Sequence, residues 1–125
     1  GAPDIEKGIC ISISHSNNLV SIIISNKKVG LDIELISDKP LRLSPKFASK
    51  LNNVNITAEK ATLIWCCKEA IYKWYQKGKV DFKNDIDIKP FKIMESGVIT
   101  AIFKSEELSL VYQKINHHYL VYLCK

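Results

Sequence analysis

Two carboxylates stand one residue apart in the segment 29–35, which reads Val-Gly-Leu-Asp-Ile-Glu-Leu. This alternation predicts a β-strand that sends Asp32 and Glu34 to one face, about 7 Å apart along the backbone, and the apolar residues to the core. Oxygen ligands at this spacing can converge on a hard cation such as Mg²⁺, which commonly binds one or two carboxylates together with phosphates and water. A solvent-facing strand edge is the alternative. Gly30 shares the acidic face, where its missing side chain lets a second backbone or a ligand approach closely.

A third acidic residue lies in a long segment with helical spacing of apolar residues, 58–77. Glu69 falls one turn after Trp65 and one turn before Lys73, so it projects from an apolar neighbourhood. If this helix crosses the acidic face of the strand, Glu69 completes a three-carboxylate oxygen site. Lys68 and Lys73 can then meet phosphate as point charges. The alternative is a surface ion pair between Glu69 and Lys73, worth about 0.3 kcal/mol.

The histidines and cysteines carry weaker signals. His15 ends a predicted strand between two serines, where it can donate to a phosphate, with a structural role as the alternative. His117 and His118 fall in a predicted turn, and we expect both to be solvated rather than metal-bound. The four cysteines lack the CxxC spacing of zinc sites and lie in apolar segments, so we expect free, buried thiols. They are Cys10, Cys66, Cys67 and Cys124.

The strands that must position these groups follow from period-two alternation and from turn residues. The first third of the chain predicts a three-stranded antiparallel meander, with strands at 9–15, 19–25 and 29–36. Beyond the long helix, strand-like stretches lie at 80–88, 91–94, 98–103, 108–114 and 119–124. Turns are expected at 95–97 and at 116–117.

Two helices are predicted between these strands. Ser44 followed by Pro45 is typical of a helix start and predicts a short helix that ends near residues 52–53. Thr57 is the expected N-cap of the long helix, which runs from 58 to about 77 and ends at Gly78. Hairpins that flank two helices, without strict alternation, indicate an α+β domain. Its antiparallel sheet is expected to be packed by one long and one short helix.

The composition is that of one soluble globular domain. The chain has 125 residues, 46% of them apolar and 25% charged. Its apolar runs are far shorter than the roughly 20 residues of a membrane span, and its start lacks a signal-peptide pattern, so we expect a cytoplasmic protein. The net charge of +5 favours an anionic partner. Because the basic residues are scattered and no nucleic-acid-binding motif occurs, we expect neither a nucleic-acid nor a membrane partner.

Three motifs occur in order along the chain: ISISHS at 11–16, VGLDIE at 29–34 and WCCKEAIYK at 65–73. Together they resemble the 4'-phosphopantetheinyl transferase superfamily, of the type that activates surfactin synthetase. The first three residues, Gly-Ala-Pro, resemble the Gly-x-Pro segment that precedes the family's Ser-His-Ser strand. The resemblance runs from the first residue to at least Lys73, and it is to the second lobe of the two-lobed members.

The resemblance implies transfer of the phosphopantetheine arm of coenzyme A, the co-substrate, to a serine of an acyl or peptidyl carrier protein. The magnesium ligands would be Asp32, Glu34 and Glu69. The coenzyme A diphosphate would contact Ser14 and His15, with Lys68 and Lys73 as further phosphate-binding cations. The catalytic residues would be Glu69 and Lys73, of which Lys73 neutralises the leaving 3',5'-adenosine bisphosphate.

Two departures from the family pattern define the alternatives. Members of this type often carry a glutamate, considered a base or a metal helper, where this chain has Asn52. A metal-bound water or Glu59 would replace it, or the activity is low, or the protein is a non-catalytic lobe that binds coenzyme A or a carrier protein. The chain also matches only one lobe, so we expect a fragment of a two-lobed protein or a homo-oligomer. Four aromatic residues within 65–75 favour such a partner, covering the face that bears the acidic strand, because one small sheet cannot bury them all.

Overall fold

The computed structural model describes residues 10–16 and 19–125. Residues 1–9, with the Gly-Ala-Pro segment and the expected first strand residue Ile9, and residues 17–18 lie outside the described part. The described residues form seven strands and two helices. In chain order they are β1 Cys10–Ser16, β2 Leu19–Ser25, β3 Val29–Leu35, α1 Asp38–Phe47, α2 Ala58–Tyr75, β4 Ile86–Ile88, β5 Ser96–Phe103, β6 Glu106–Ile115 and β7 His118–Cys124.

The expected α+β architecture is confirmed. Five antiparallel strands form one sheet in the order β3-β7-β6-β5-β4, and the long helix α2 packs on one of its faces. The helix buries Leu63 and Ile71 against inward residues of the sheet such as Val121 and Leu123, and the short helix α1 reaches the same core through Phe47. Burial of each large apolar side chain contributes about 1.5–3 kcal/mol, so this layer is the main source of stability.

The expected three-stranded meander is wrong. Strands β1 and β2 pair with each other as a separate hairpin, and β3 pairs antiparallel with β7 instead. Side chains of β1 join the hairpin to the outer edge of β3, because the hydroxyls of Ser12 and Ser14 accept the main-chain N–H groups of Leu31 and Ile33, each at 3.0 Å. These hydroxyls therefore satisfy two donors at the centre of the edge without a third backbone ladder.

The acidic face of β3 is the face that helix α2 covers. Asp32 lies directly opposite Val121, and residues paired in this way share one side of a sheet. Val121 is fully buried in the main core, so the expected placement of the carboxylates away from the core is wrong. Helix α2 comes so close that a Cβ on Gly30 would overlap the carbonyl oxygen of Ala70 and lie 2.7 Å from Trp74 Cβ. Gly30 therefore admits the helix backbone.

Helix α1 begins at Asp38, well before the expected start at Ser44. Asp38 lies in the first turn, where a carboxylate is stabilised by the helix dipole, and Pro40 occupies a position whose N–H would be unpaired in any case. Ser44 is buried inside the helix, and its hydroxyl donates to Asn53 Oδ1 at 2.8 Å. Ser44 and Pro45 therefore lie within α1 and do not mark its beginning.

Helix α2 follows the prediction closely. Thr57 is its N-cap and accepts from the main-chain N–H of Lys60 at 3.1 Å. The helix ends at Tyr75, two residues before the expected end, because Gln76 adopts a left-handed conformation with φ of 58°. Among the helices of the described chain, none is long and apolar enough to cross a membrane.

The stretch after α2 is less regular than expected. Only Ile86–Ile88 of the region 80–88 forms a strand, because the Asp81 carboxylate accepts from the main-chain N–H groups of Lys83 and Asn84 and holds a turn there. Residues 91–94 form no strand. The turn expected at 95–97 is replaced by the start of β5, whereas the turn at 116–117 is confirmed, with both residues at positive φ.

Candidate active site

Asp32 lies at the centre of the candidate site and joins three elements. It is midway along β3 and only 3% exposed. Its Oδ1 accepts from the Lys73 ammonium of α2 at 2.8 Å and from the Ser14 hydroxyl of β1 at 3.2 Å. Its Oδ2 is buried and has no hydrogen-bond partner within the described residues. Because an unpaired buried carboxylate oxygen is costly, this atom is suited to receive a donor or a cation.

Ser14 connects the hairpin to both charged groups. Its Oγ accepts from the main-chain N–H of Ile33 at 3.0 Å and from Lys73 Nζ at 3.3 Å, while it donates to Asp32. The hydroxyl thus has its full set of partners. The structure therefore brings Ser14, Asp32 and Lys73 together from three separate parts of the chain.

Glu34 and Glu69 lie beside this group and are partly buried. Burial is the main cause that raises the pKa of Glu34 to about 9; Asp32 and Glu69 add to the shift, and Lys73 offsets part of it. Burial also raises the pKa of Glu69, with Asp32 adding to it. The three carboxylates therefore lie close enough to oppose one another's ionisation.

The carboxylates do not form a complete metal cage as they stand. Over the ranges 10–16 and 19–125, no three His, Cys, Asp or Glu side chains are arranged to hold a metal ion. The donor set nevertheless consists of hard oxygen atoms. The raised pKa values and the unpaired oxygen of Asp32 are features that a divalent cation would relieve. These residues fit a magnesium ion by their chemistry.

Without added divalent cations, we expect the free energy of unfolding to fall as the pH rises from about 4.5 to about 9. The folded protein keeps a proton on Glu34 over this range, whereas the unfolded chain releases it. The stability from this group is therefore fully present below the unfolded pKa and is lost as the pH rises through the folded pKa. One such group changes the free energy of unfolding by at most about 1.4 kcal/mol per pH unit. Thermal unfolding across this range measures the decline, and Glu34→Gln should flatten it.

Glu107→Gln is the matched control, because Glu107 is an exposed glutamate on β6. We expect this variant to keep the parental dependence of stability on pH. If Glu34→Gln also kept the parental dependence, Glu34 would ionise like an ordinary glutamate, and the mutual repulsion of the three carboxylates would be contradicted.

Lys68 does not reach the carboxylates. It is 0% exposed, and its ammonium donates to the main-chain carbonyl oxygens of Phe47, Phe82 and Ile86. Burial lowers the pKa of Lys68 to about 8. Since an ammonium has three protons and all three are donated to the backbone, none is left for a phosphate. The structure therefore does not agree with the predicted contact of Lys68 with phosphate: its ammonium binds the protein backbone.

His15 is placed on the opposite face of β1 from Ser14. It lies across from Val20 on β2 and is exposed to solvent. Successive residues of a strand point to opposite faces, and Ser14 is the one that turns toward Asp32. The structure therefore does not bring His15 to the carboxylates.

Neither residue considered for the missing glutamate lies in the site as a base. Asn52 is buried, and its side-chain amide donates to the carbonyl oxygen of Ile88 at 3.2 Å. Glu59 accepts from the Tyr119 hydroxyl at 2.6 Å and from Lys114 at 3.5 Å. The hydrogen bond from Tyr119 is the main cause that lowers the pKa of Glu59, which makes it a weaker base.

Two hollows open at the two ends of the carboxylate group. At the Glu34 end lies a groove of about 620 Å³, which we call the aromatic groove. Its lining includes Leu43, Phe47, Trp65, Phe82, Lys39 and Lys46. The second hollow, of about 440 Å³, is lined by Glu69, Tyr72, Lys73, Gln76 and Gly78. Trp65 of the aromatic groove and Glu69 of the second hollow lie one turn apart on α2, about 6 Å along its axis.

The second histidine of the 116–118 turn is not solvated as expected. His118 is buried, its Nδ1 lies 2.7 Å from the carbonyl oxygen of Asn116, and its Nε2 is buried without a partner in the described chain. His117 is exposed, as expected. The pairing of β3 with β7 explains the burial, because it places His118 opposite Leu35.

The cysteines follow the prediction in part. Cys66 and Cys67 are free and buried, and burial raises the pKa of both thiols, which makes them unreactive. Cys124 is free but exposed, because it is the last residue of β7 and faces solvent. The side chain of Cys10 lies outside the described part.

The fold and the site together define the class of protein: an α+β lobe whose long helix places a glutamate and a lysine over an acidic strand. No family model matches the chain. The chain is similar to the 4'-phosphopantetheinyl transferase gsp of Aneurinibacillus migulanus, with 30% identity over an alignment of 116 residues that covers 86% of the chain. This similarity confirms the resemblance to the 4'-phosphopantetheinyl transferase superfamily. The chain spans 46% of the relative's length.

Proposed function

We propose that the chain is one lobe of a 4'-phosphopantetheinyl transferase, which transfers the phosphopantetheine arm of coenzyme A to a serine of an acyl or peptidyl carrier protein in a magnesium-dependent reaction. The observation that carries the proposal is the Asp32 carboxylate, which Lys73 and Ser14 share and which Glu34 and Glu69 flank. The name of the relative, a 4'-phosphopantetheinyl transferase, supports the same chemistry.

Asp32, Glu34 and Glu69 are the residues that would hold the magnesium ion. Three oxygen donors that oppose one another's ionisation gain stability when a divalent cation neutralises them. Bound there, the ion would neutralise the diphosphate and polarise the phosphoryl group that is transferred.

Lys73 is the cation that the chain itself supplies. Its side chain is partly exposed, lies 2.8 Å from Asp32 and borders the smaller hollow. At this position the ammonium would neutralise the charge that develops on the leaving 3',5'-adenosine bisphosphate. Ser14 would keep the ammonium in place, because its hydroxyl lies 3.3 Å from Lys73 Nζ.

The two hollows support a division between the leaving group and the acceptor. In phosphoryl-type transfer the attacking and the leaving oxygen lie on opposite sides of the phosphorus. We assign the smaller hollow, with Lys73, to the nucleotide end of coenzyme A, and the aromatic groove to the protein segment that carries the acceptor serine. Lys39 and Lys46 border the groove, so an acidic acceptor would be attracted to it.

A non-catalytic lobe that binds coenzyme A or a carrier protein is the second candidate. It is favoured by the positions of Asn52 and Glu59, because Asn52 is bonded to the backbone of β4 and Glu59 is held by Tyr119. Within the described residues, neither of these two side chains would take a proton from an attacking serine.

The experiment that tests the proposed function is incubation of the chain with coenzyme A, magnesium and an apo carrier protein, followed by mass spectrometry of the carrier. We expect a phosphopantetheine adduct on serine, and no adduct when magnesium is replaced by a chelator. Coenzyme A binding without an adduct on several carriers would select the non-catalytic lobe. Absence of both binding and adduct would contradict the two candidates together.

The β1–β2 hairpin has an apolar face that is exposed to solvent. Its exposed residues are Ile13, Val20, Ile22 and Ile24, at 47%, 68%, 59% and 64%. The polar face, with Ser12 and Ser14, is the buried one. A two-stranded hairpin is marginally stable by itself, and contiguous exposed apolar residues mark interaction sites. We infer that the other half of a two-lobed protein, or a second copy of this chain, covers this face.

This location differs from the one expected from the sequence. The acidic face of β3 is already covered by α2, so it is not available to a partner. The aromatic residues of the helix are also better covered than expected, because only Tyr72 among the four is exposed. The hairpin, and not the aromatic helix, therefore carries the unpartnered surface.

We expect Ile22→Lys to weaken self-association of the chain. A lysine in the middle of the exposed apolar face of the hairpin introduces a charge that an apolar interface must desolvate. Sedimentation velocity at micromolar concentration should show self-association of the parent and a shift of the variant toward the monomer. Val54→Lys, at an exposed valine outside the hairpin, is the control and should sediment like the parent. A strictly monomeric parent that still transfers phosphopantetheine would contradict the need for a partner.

A further inference from the structure

Lys68 joins three parts of the chain through its ammonium group. Its Nζ donates to the carbonyl oxygen of Phe47 at the end of α1, and to those of Phe82 and Ile86 in the stretch that follows α2. The side chain is fully buried, so no water competes for these hydrogen bonds. A charged donor makes hydrogen bonds roughly twice as strong as neutral ones, which makes this an effective link between the segments.

Two of these three residues, Phe47 and Phe82, also pack their rings against the ring of Trp65. The ring centroids lie 5.1 Å from Trp65 on the Phe47 side and 5.3 Å on the Phe82 side. Trp65 precedes Lys68 by one turn on the same helix. One stretch of α2 therefore fixes both the backbone and the rings of these two phenylalanines, which line the aromatic groove.

Phe82 is also in contact with the ring of Tyr72, at a centroid distance of 5.8 Å, and the turn held by Asp81 flanks it. It lies in the irregular stretch between α2 and the three-residue strand β4. Irregular segments open locally more readily than helices and sheets, so the hydrogen bonds from Lys68 to Phe82 and Ile86 add to these local contacts. A buried lysine is also an expensive way to stabilise a core, since well-packed apolar residues often do as well or better. The buried ammonium of Lys68 is therefore better explained by the placement of Phe47 and Phe82 in the aromatic groove than by the stability of the fold.

We propose that Lys68 is a positioning residue that sets the shape of the aromatic groove by holding Phe47 and Phe82 against Trp65. It acts through these two residues and does not itself touch a substrate. The inference about catalysis rests on the proposed function, in which the groove takes the acceptor protein. The inference about groove shape stands on the contacts alone.

The test compares Lys68→Met with Lys83→Met. Lys83 lies in the same irregular stretch, is exposed and donates to a single carbonyl oxygen, that of Pro45 at 3.0 Å, so it is the matched control. The first measurement is quenching of Trp65 fluorescence by acrylamide, with the signal of Trp74 obtained from a Trp65→Phe variant and subtracted. We expect quenching to rise about twofold in Lys68→Met and to stay at the parental level in Lys83→Met.

The second measurement separates KM from kcat in phosphopantetheine transfer to an apo carrier protein. A displaced groove wall should raise the KM for the carrier roughly tenfold and leave kcat near its parental value. A merely unstable variant would lose active enzyme, which lowers the apparent kcat without changing the KM.

The outcomes keep the two proposals apart. If the parent transfers nothing to any carrier, the proposed function fails, and the quenching of Trp65 still decides the role of Lys68. A folded Lys68→Met variant with parental quenching overturns the positioning role. If Lys68→Met does not fold, Lys68→Gln, which keeps two N–H donors without the charge, takes its place under the same criteria. Failure of both variants to fold would assign Lys68 to the fold as a whole and would also overturn the positioning role.

Discussion

Replacing Gly30 with alanine is expected to destabilise the domain by about 3 kcal/mol, a large part of the 5–15 kcal/mol that holds an ordinary domain together. The added Cβ would overlap the carbonyl oxygen of Ala70 and lie 2.7 Å from both the Cβ and the main-chain nitrogen of Trp74. Two of these three atoms belong to the helix backbone, so a side-chain rotation cannot relieve the clash. Helix α2 must move away from β3, and Lys73 and Glu69 move with it.

Thermal and chemical unfolding measure the loss of stability, with Gly97→Ala as the matched control. A Cβ at Gly97 on β5 would lie 3.1 Å from the ring of Tyr112, which is a side chain that can shift by a few tenths of an ångström. We expect this control to cost much less than Gly30→Ala. Equal costs for the two variants would show that the close approach of α2 to β3 is not what Gly30 provides.

Replacing Asp32 with asparagine is expected to reduce phosphopantetheine transfer by about 10²–10³-fold, the usual loss when one preorganised electrostatic partner is removed from an active site. The amide has the shape of the carboxylate and can still accept from Lys73 and Ser14, so the local structure should be retained. The negative charge that would bind magnesium and hold the ammonium is lost. Magnesium-dependent binding of coenzyme A should therefore disappear in calorimetry.

Asp87→Asn is the control for this prediction, because Asp87 is an exposed aspartate on β4 that pairs with Lys89 outside the site. We expect it to keep parental transfer and coenzyme A binding. If Asp32→Asn bound coenzyme A in magnesium as tightly as the parent, the three carboxylates would not be a metal site. The functional interpretation of strand β3 would then fail.

Features set by local chemistry could be predicted from the sequence. The Thr57 N-cap, the span of α2 and the turn at 116–117 depend on residues close together in the chain, and the structure agrees with each to within two residues. Proximity of Ser14, Asp32 and Lys73 was also anticipated, but only through the order of motifs in a known family. No local pattern indicates that β1 and α2 meet at β3.

Features set by long-range pairing could not be predicted. The alternation in β3 predicts that its acidic face points away from the core, because an alternating strand normally has one buried and one solvent-facing side. The pairing of β3 with β7, which lies at the other end of the chain, places that face under the helix. The place of Phe82 in the site does not follow from the sequence, because the stretch 80–88 predicts a strand and the structure has a turn there. The Asp81 and Asn84 pair that flanks it is a turn signal and could have corrected the assignment.

The attachment of the hairpin to β3 has a mechanical consequence. In a backbone ladder, main-chain hydrogen bonds hold a strand at every second residue. The hairpin is instead hydrogen-bonded to β3 through two side-chain hydroxyls, those of Ser12 and Ser14. Such a junction allows the hairpin to tilt more easily than a strand within the sheet, and Ser14 is at the same time a contact of Asp32 and Lys73. A partner that packs on the exposed apolar face of the hairpin would therefore press on a segment whose buried face contacts Asp32 and Lys73 through Ser14.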